Sequence, residues 1–213
     1  MIALDNDVFA FIKPSLDAHT LGVNSAAELL RECGYNVLVG DDDISKAMND
    51  IRYEVKRKLI IDWIKVNKIT IVGISYRLDP DDAVNIMGYF INELKNNNML
   101  FFQGGPIKSV IFGGLPKACE IIDIEYKGLI TTFKGGESTQ ETLLRMGVPL
   151  ERIPTDIIEG CAYDDKRIEF GKEIIKDQKY KDFLPVDRCN YAEYGKRNDS
   201  IVKRLDSNMA RSF

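Results

Sequence analysis

A doubly wound parallel α/β domain is the fold class this sequence predicts, and three observations predict it. Five short apolar runs recur between residues 8 and 132, helical stretches separate them, and capping residues fall where such elements would begin and end. Short runs rich in Val, Ile and Phe suit strands buried on both faces. Strict alternation of strand and helix implies parallel pairing through right-handed crossovers. The expectation is a five-stranded flavodoxin-like sheet of order 2-1-3-4-5 with helices on both faces. It occupies residues 1–150, and a helical or irregular extension follows over residues 151–213.

The first strand is read at Val8–Ile12 and the first helix at Ser25–Cys33, with Gly34 as its C-terminal glycine. The second strand is Asn36–Val39. One long helix is expected over Ile44–Val66. Its charges (Arg52, Glu54, Lys56, Arg57, Lys58) mark a solvated face, with a partner surface as the sharper alternative. The third strand is Ile69–Ile74. Asp79 then caps, and Pro80 opens, a helix over Asp81–Asn96 whose stripe is Ile86, Phe90, Ile91 and Leu94. Gly104-Gly105 reads as a turn within an inserted loop, Phe101–Pro106. The fourth strand is Ser109–Phe112, followed by a helix at Lys117–Glu125. The fifth strand is Leu129–Thr132, followed by a helix at Glu137–Met146. Beyond Pro149 the pattern weakens. Lys166–Gln178 reads as a further helix, and from Lys179 the chain is polar with scattered Tyr180, Phe183, Tyr191 and Tyr194.

The 213 residues suffice for one good core with a small extension. A net charge of −4 argues against a binder of nucleic-acid backbones, which usually carries a basic excess. No apolar run approaches the ~18 residues of a membrane span. The acidic start, Met1 to Asp7, lacks the basic region of a secretory signal, so a cytoplasmic location is expected. Cys33, Cys119, Cys161 and Cys189 are far apart and form no CxxC pair, which reads as reduced thiols rather than a zinc or iron–sulfur site.

Chemistry concentrates in the loops that follow the strands, where ligands of such sheets bind. After the first strand comes Asp17-Ala18-His19-Thr20-Leu21-Gly22, which contains the only histidine of the chain. An acid two residues before a histidine fixes the ring's tautomer, and a neutral imidazole so held is a good transition-metal ligand. Ser75 follows the third strand, Gly113-Gly114 the fourth, and Lys134-Gly135-Gly136 the fifth.

Over roughly residues 7–148 these features resemble the cobalamin-binding domain shared by adenosylcobalamin-dependent mutases and cobalamin-dependent methionine synthase. That family carries an Asp-x-His-x-x-Gly motif, then Ser-x-Leu, then a Gly-Gly pair. The resemblance implies His19 as the lower ligand of cobalt, in place of the cofactor's dimethylbenzimidazole, with Asp17 holding the other ring nitrogen. Gly22 would let the displaced nucleotide tail pass the first helix, and Ser75 would reach its benzimidazole. Gly113 and Gly114 would let the tail approach the backbone. Thr20, Phe133, Gly135 and Gly136 are further implied contacts. The Ser-x-Leu motif stands here as Ser75-Tyr76-Arg77, with leucine one place late at Leu78. Arg77 at the cofactor's edge would meet a corrin amide or a partner's carboxylate.

No stretch is long enough for a (β/α)₈ barrel of about 250 residues, and no four-helix cap precedes the first strand. The expectation is therefore a module resembling the small subunit of glutamate mutase. It would hold adenosylcobalamin, or alternatively methylcobalamin, and serve a catalytic barrel subunit or a further C-terminal domain. The alternatives are a corrinoid domain of a methyl-transfer or radical S-adenosylmethionine enzyme, and a non-catalytic cobalamin-binding or signalling module. No CxxxCxxC string is present.

Overall fold

The computed structural model describes residues 2–176, and the polar stretch from Lys179 lies outside them. Five parallel strands form one sheet in the order β2-β1-β3-β4-β5: β1 (Val8–Ile12), β2 (Asn36–Val39), β3 (Ile71–Tyr76), β4 (Ser109–Gly114) and β5 (Ile130–Phe133). The predicted doubly wound sheet is thus the observed one. The helices are α1 (Leu21–Glu32), α2 (Asp42–Asn49), α3 (Glu54–Val66), α4 (Pro80–Asn96), α5 (Pro116–Glu125), α6 (Thr139–Arg145) and α7 (Thr155–Lys176). One compact unit runs to Cys161 and holds the sheet and α1–α6.

Strand pleating sorts the core into two layers, because alternate side chains leave opposite faces. Ala10, Ile12, Val72, Ile74, Val110 and Phe112 point to one layer, shared with α2–α5. Phe9, Phe11, Ile71, Ile111 and Phe133 point to the other, shared with α1 and α6. Both layers are built of buried apolar side chains, which explains why the strands read as unbroken apolar runs.

Several boundaries differ from expectation: α7 begins at Thr155, well before the expected Lys166, and the expected end at Gln178 lies outside the described residues. The single helix over Ile44–Val66 is two helices, α2 and α3, joined by a turn at residues 50–53. A straight helix of that length would run about 34 Å, well past a strand of about 20 Å. The turn lets Ile44, Ala47 and Met48 pack from α2 and Ile60, Ile61 and Ile64 from α3. Arg57 holds the link by donating from Nη1 to the carbonyls of Ile51 (3.1 Å) and Arg52 (2.7 Å). The first helix starts at Leu21 rather than Ser25, and β3 and β4 run two residues further, to Tyr76 and Gly114. Ser75 and the Gly113-Gly114 pair therefore belong to strands, not to the loops after them.

The expected punctuation is present. The Asp79 side chain accepts from the N–H groups of Asp81 (2.9 Å) and Asp82 (3.0 Å), with Pro80 in the first turn. Gly34 follows α1 at φ +84°, a conformation that costs glycine little. Among the described residues no helix is long and apolar enough to cross a membrane.

Candidate functional site

At the carboxyl edge of the sheet, between α1 and the ends of β3, β4 and β5, lies a cavity of about 680 Å³. Its origin is local. Gly73 and Ser75 on β3 and Gly113 on β4 share the face that carries Phe11 and Ile111, and Ser75 lies directly opposite Gly113 in the register. Ser75 and Gly113 leave a hollow beside the Phe11 ring, which itself fills the space over Gly73: a Cβ built there would stand 2.5 Å from it. Helix α1 deepens it, since Gly22, Ser25 and Ala26 line the cavity at one-turn spacing. A Cβ built on Gly22 or on Gly113 would meet nothing within 4 Å, so both glycines border open space.

His19 stands at this cavity on the loop between β1 and α1, its side chain 57% exposed. Asp17 behind it is fully buried. Asp17 Oδ1 accepts from the His19 ring at Nδ1 (2.7 Å) and from the His19 backbone N–H (2.9 Å). Asp17 Oδ2 accepts from the backbone N–H of Arg77 (2.8 Å), sixty residues away in sequence. Burial alone would raise the Asp17 carboxyl, but the bonds from His19 and Arg77 outweigh it and hold the group below its ordinary range. An ionised carboxylate only accepts, so Nδ1 donates to it, and in the neutral imidazole Nε2 then presents a lone pair. The Lys13 ammonium donates to the Asp17 carbonyl (2.6 Å) and steadies the same loop.

Nine of the eleven expected site residues line the cavity: His19, Thr20, Gly22, Ser75, Arg77, Gly113, Phe133, Gly135 and Gly136. Asp17 acts from behind through His19. Gly114 stands apart. The pleat that turns Gly113 toward the cavity turns Gly114 to the opposite face, where an added Cβ would lie 2.5 Å from the Phe112 ring. Two adjacent strand residues cannot line one surface, so the glycine pair divides between a site role and a packing role.

The sequence reading missed Gly73, Ser25 and Ala26. Their signal was present as small residues at strand spacing (Gly73, Ser75) and at helical spacing (Gly22, Ser25, Ala26). It became readable only once the two elements were known to face each other. The lining is otherwise apolar, with Phe11, Ile111, Phe133 and Met146. Its one carboxylate, Glu137, accepts from the Lys134 N–H (3.0 Å) and from Arg145 (3.2 Å).

Fold and site together define a class: a doubly wound α/β domain with a cavity at the carboxyl edge of its sheet and a carboxylate-oriented histidine beside it. No protein-family model matches the chain, and no curated protein matches it.

Proposed function

We propose that this domain binds cobalamin with His19 as the lower ligand of cobalt, the cofactor's dimethylbenzimidazole being displaced into the cavity. One observation carries the reading. The histidine held by a buried carboxylate shares its cavity with Ser75 and Gly113, the set that the resemblance to the cobalamin-binding family assigns to cobalt and nucleotide tail.

The residues fit such a group. Among the described residues no three His, Cys, Asp or Glu side chains cluster as a metal site. A metal ion held at His19 must therefore bring most of its own ligands, as the cobalt of a corrin does. The cavity volume falls within the range of small-molecule sites, about 300–1,000 Å³, and suits a nucleotide-sized group. When bound, adenosylcobalamin supplies a weak cobalt–carbon bond, and we assign the domain to a mutase whose substrate is held by a barrel subunit or further domain. This chain's own residues do the holding. Asp17 keeps Nδ1 protonated and Nε2 available, Gly22 and Gly113 leave room against the backbone, and Ser75 offers a hydroxyl to a ring nitrogen. Phe11, Ile111 and Phe133 exclude water from the aromatic group.

The test is a titration with hydroxocobalamin, followed by electron paramagnetic resonance of the cob(II)alamin form. Protein labelled with ¹⁵N-histidine is expected to change the nitrogen splitting from triplet to doublet, and His19→Ala to abolish it. Splitting from the benzimidazole nitrogen in the wild-type protein overturns the reading. Selective retention of the adenosyl form supports the mutase assignment, whereas retention of methylcobalamin moves it to methyl transfer.

A further inference from the structure

We infer that Arg77 binds an anionic phosphodiester of the ligand that occupies the cavity; this deepens the cobalamin reading and rests on it for the source of the phosphate. Five of the seven arginines among the described residues pair with a carboxylate, and a sixth, Arg52, lies over the Tyr53 ring. Arg77 has neither kind of partner among those residues, although it is the arginine most firmly placed at the site. Its backbone N–H is tied to Asp17 Oδ2, and its side chain lines the cavity. The guanidinium reaches from the end of β3 toward the turn after β5: a Cβ built on Gly135 would stand 3.6 Å from Arg77 Nη2.

Two carboxylates stand near it, and both are already engaged, Asp17 by His19 and the Arg77 backbone N–H. Glu137 is the one carboxylate of the lining, and Arg145 and the Lys134 N–H already engage it. Burial alone would raise the Glu137 carboxyl, but its own backbone N–H, the Lys134 N–H, the Arg145 charge and the Gly135 N–H hold it below its ordinary range. A guanidinium remains charged at any physiological pH and presents a planar fork that matches two phosphate oxygens. Arg77 is exposed at the cavity, so water answers its charge until a ligand arrives, and an anionic group is the ligand chemistry its fork favours. In cobalamin that group is the single phosphodiester of the nucleotide tail. A corrin amide, which is neutral, offers no such charge.

The experiment compares hydroxocobalamin with aquocobinamide, which retains the corrin and lacks the phosphodiester and base, on wild-type protein, Arg77→Gln and Arg77→Lys. Circular dichroism checks that each variant is folded. Arg77→Gln is expected to weaken hydroxocobalamin about tenfold to a hundredfold, as for a lost charged hydrogen-bond pair, and to leave aquocobinamide unchanged. Arg77→Lys is expected to recover part of the loss, and raising the salt concentration to weaken wild-type binding of hydroxocobalamin alone. Equal weakening of both corrinoids assigns Arg77 to a corrin amide and overturns the inference; no weakening of either also overturns it. If wild-type protein binds neither corrinoid, the cobalamin reading fails by itself. Inorganic pyrophosphate then decides the Arg77 assignment: shifts of the Ser75, Gly113 and Gly135 amide resonances that Arg77→Gln abolishes support it, and their absence overturns it.

Discussion

Asp17 turns one carboxylate oxygen to the His19 ring and the other to the Arg77 backbone, and so ties the loop after β1 to the end of β3. The histidine and its acid were readable because they are two residues apart; the Arg77 bond was not, because sixty residues separate its partners. The neighbouring glycines make the same point. Gly113-Gly114 looks like one unit in the sequence, yet only Gly113 borders open space, while a Cβ on Gly114 meets the Phe112 ring at 2.5 Å. Gly114→Ala is therefore expected to lower stability by about 1–3 kcal/mol through overpacking. Gly113→Ala is expected to change it by less than about 0.5 kcal/mol. Urea denaturation measures both, and equal effects would show that the two positions are equivalent after all. Gly113→Leu is expected to remain folded and to bind hydroxocobalamin at least about tenfold more weakly, since its side chain fills space in the cavity.

The elements were legible where a local signal ends them. Asp79-Pro80 starts α4 and Gly34 closes α1, each by chemistry contained within a few residues. Asp41 caps α2 in the same way, accepting from the N–H groups of Asp43 (3.1 Å) and Ile44 (3.0 Å). Asp79→Ala and Asp41→Ala are each expected to cost about 1 kcal/mol, with additive losses in the double variant because the caps serve separate helices. Thermal or urea unfolding checks this, and strong non-additivity would contradict independent caps. Boundaries without a local signal were misjudged. Nothing in Asp50-Ile51-Arg52-Tyr53 is a glycine or proline, so the break between α2 and α3 arises from the need to lay both helices on one short sheet. Ser75, Gly113 and Gly114 are poor strand formers, and they extend β3 and β4 because each pairs with the other strand.

Across the whole molecule, the two edges of the sheet do different work. The carboxyl edge holds the cavity. The amino edge is fastened by Asp7, which is 1% exposed, pairs with the Lys108 ammonium (2.6 Å) and accepts from Thr70 Oγ1 (2.8 Å) and the Leu4 N–H (2.8 Å). These contacts link the starts of β1, β3 and β4. Burial would raise the Asp7 carboxyl, but the three donors outweigh it and hold it below its ordinary value. The unfolded chain then takes up a proton at higher pH than the folded one does. The stabilisation is complete above about pH 5 and declines as pH falls through the folded value. Asp7→Asn is expected to lower stability at pH 7 by about 2–3 kcal/mol, less than for a fully buried pair because Lys108 keeps some solvent. It is also expected to flatten the loss of stability between about pH 5 and pH 3. Denaturation midpoints across that range measure it, and an unchanged pH slope would assign the acid sensitivity to other carboxylates such as Asp17.

The sequence by itself determined the sheet, its strand order and the histidine with its acid. The signals are an apolar run, a cap, a two-residue spacing and, for the strand order, the alternation of strand and helix along the chain. Only the tertiary structure decided that Ser75 lies opposite Gly113, that small residues on α1 face them across a cavity, that Gly114 points away, and that Arg77 hangs from Asp17. Those facts depend on pleat, register and the approach of distant segments. They come into being only when the hydrophobic faces of sheet and helices have closed on each other.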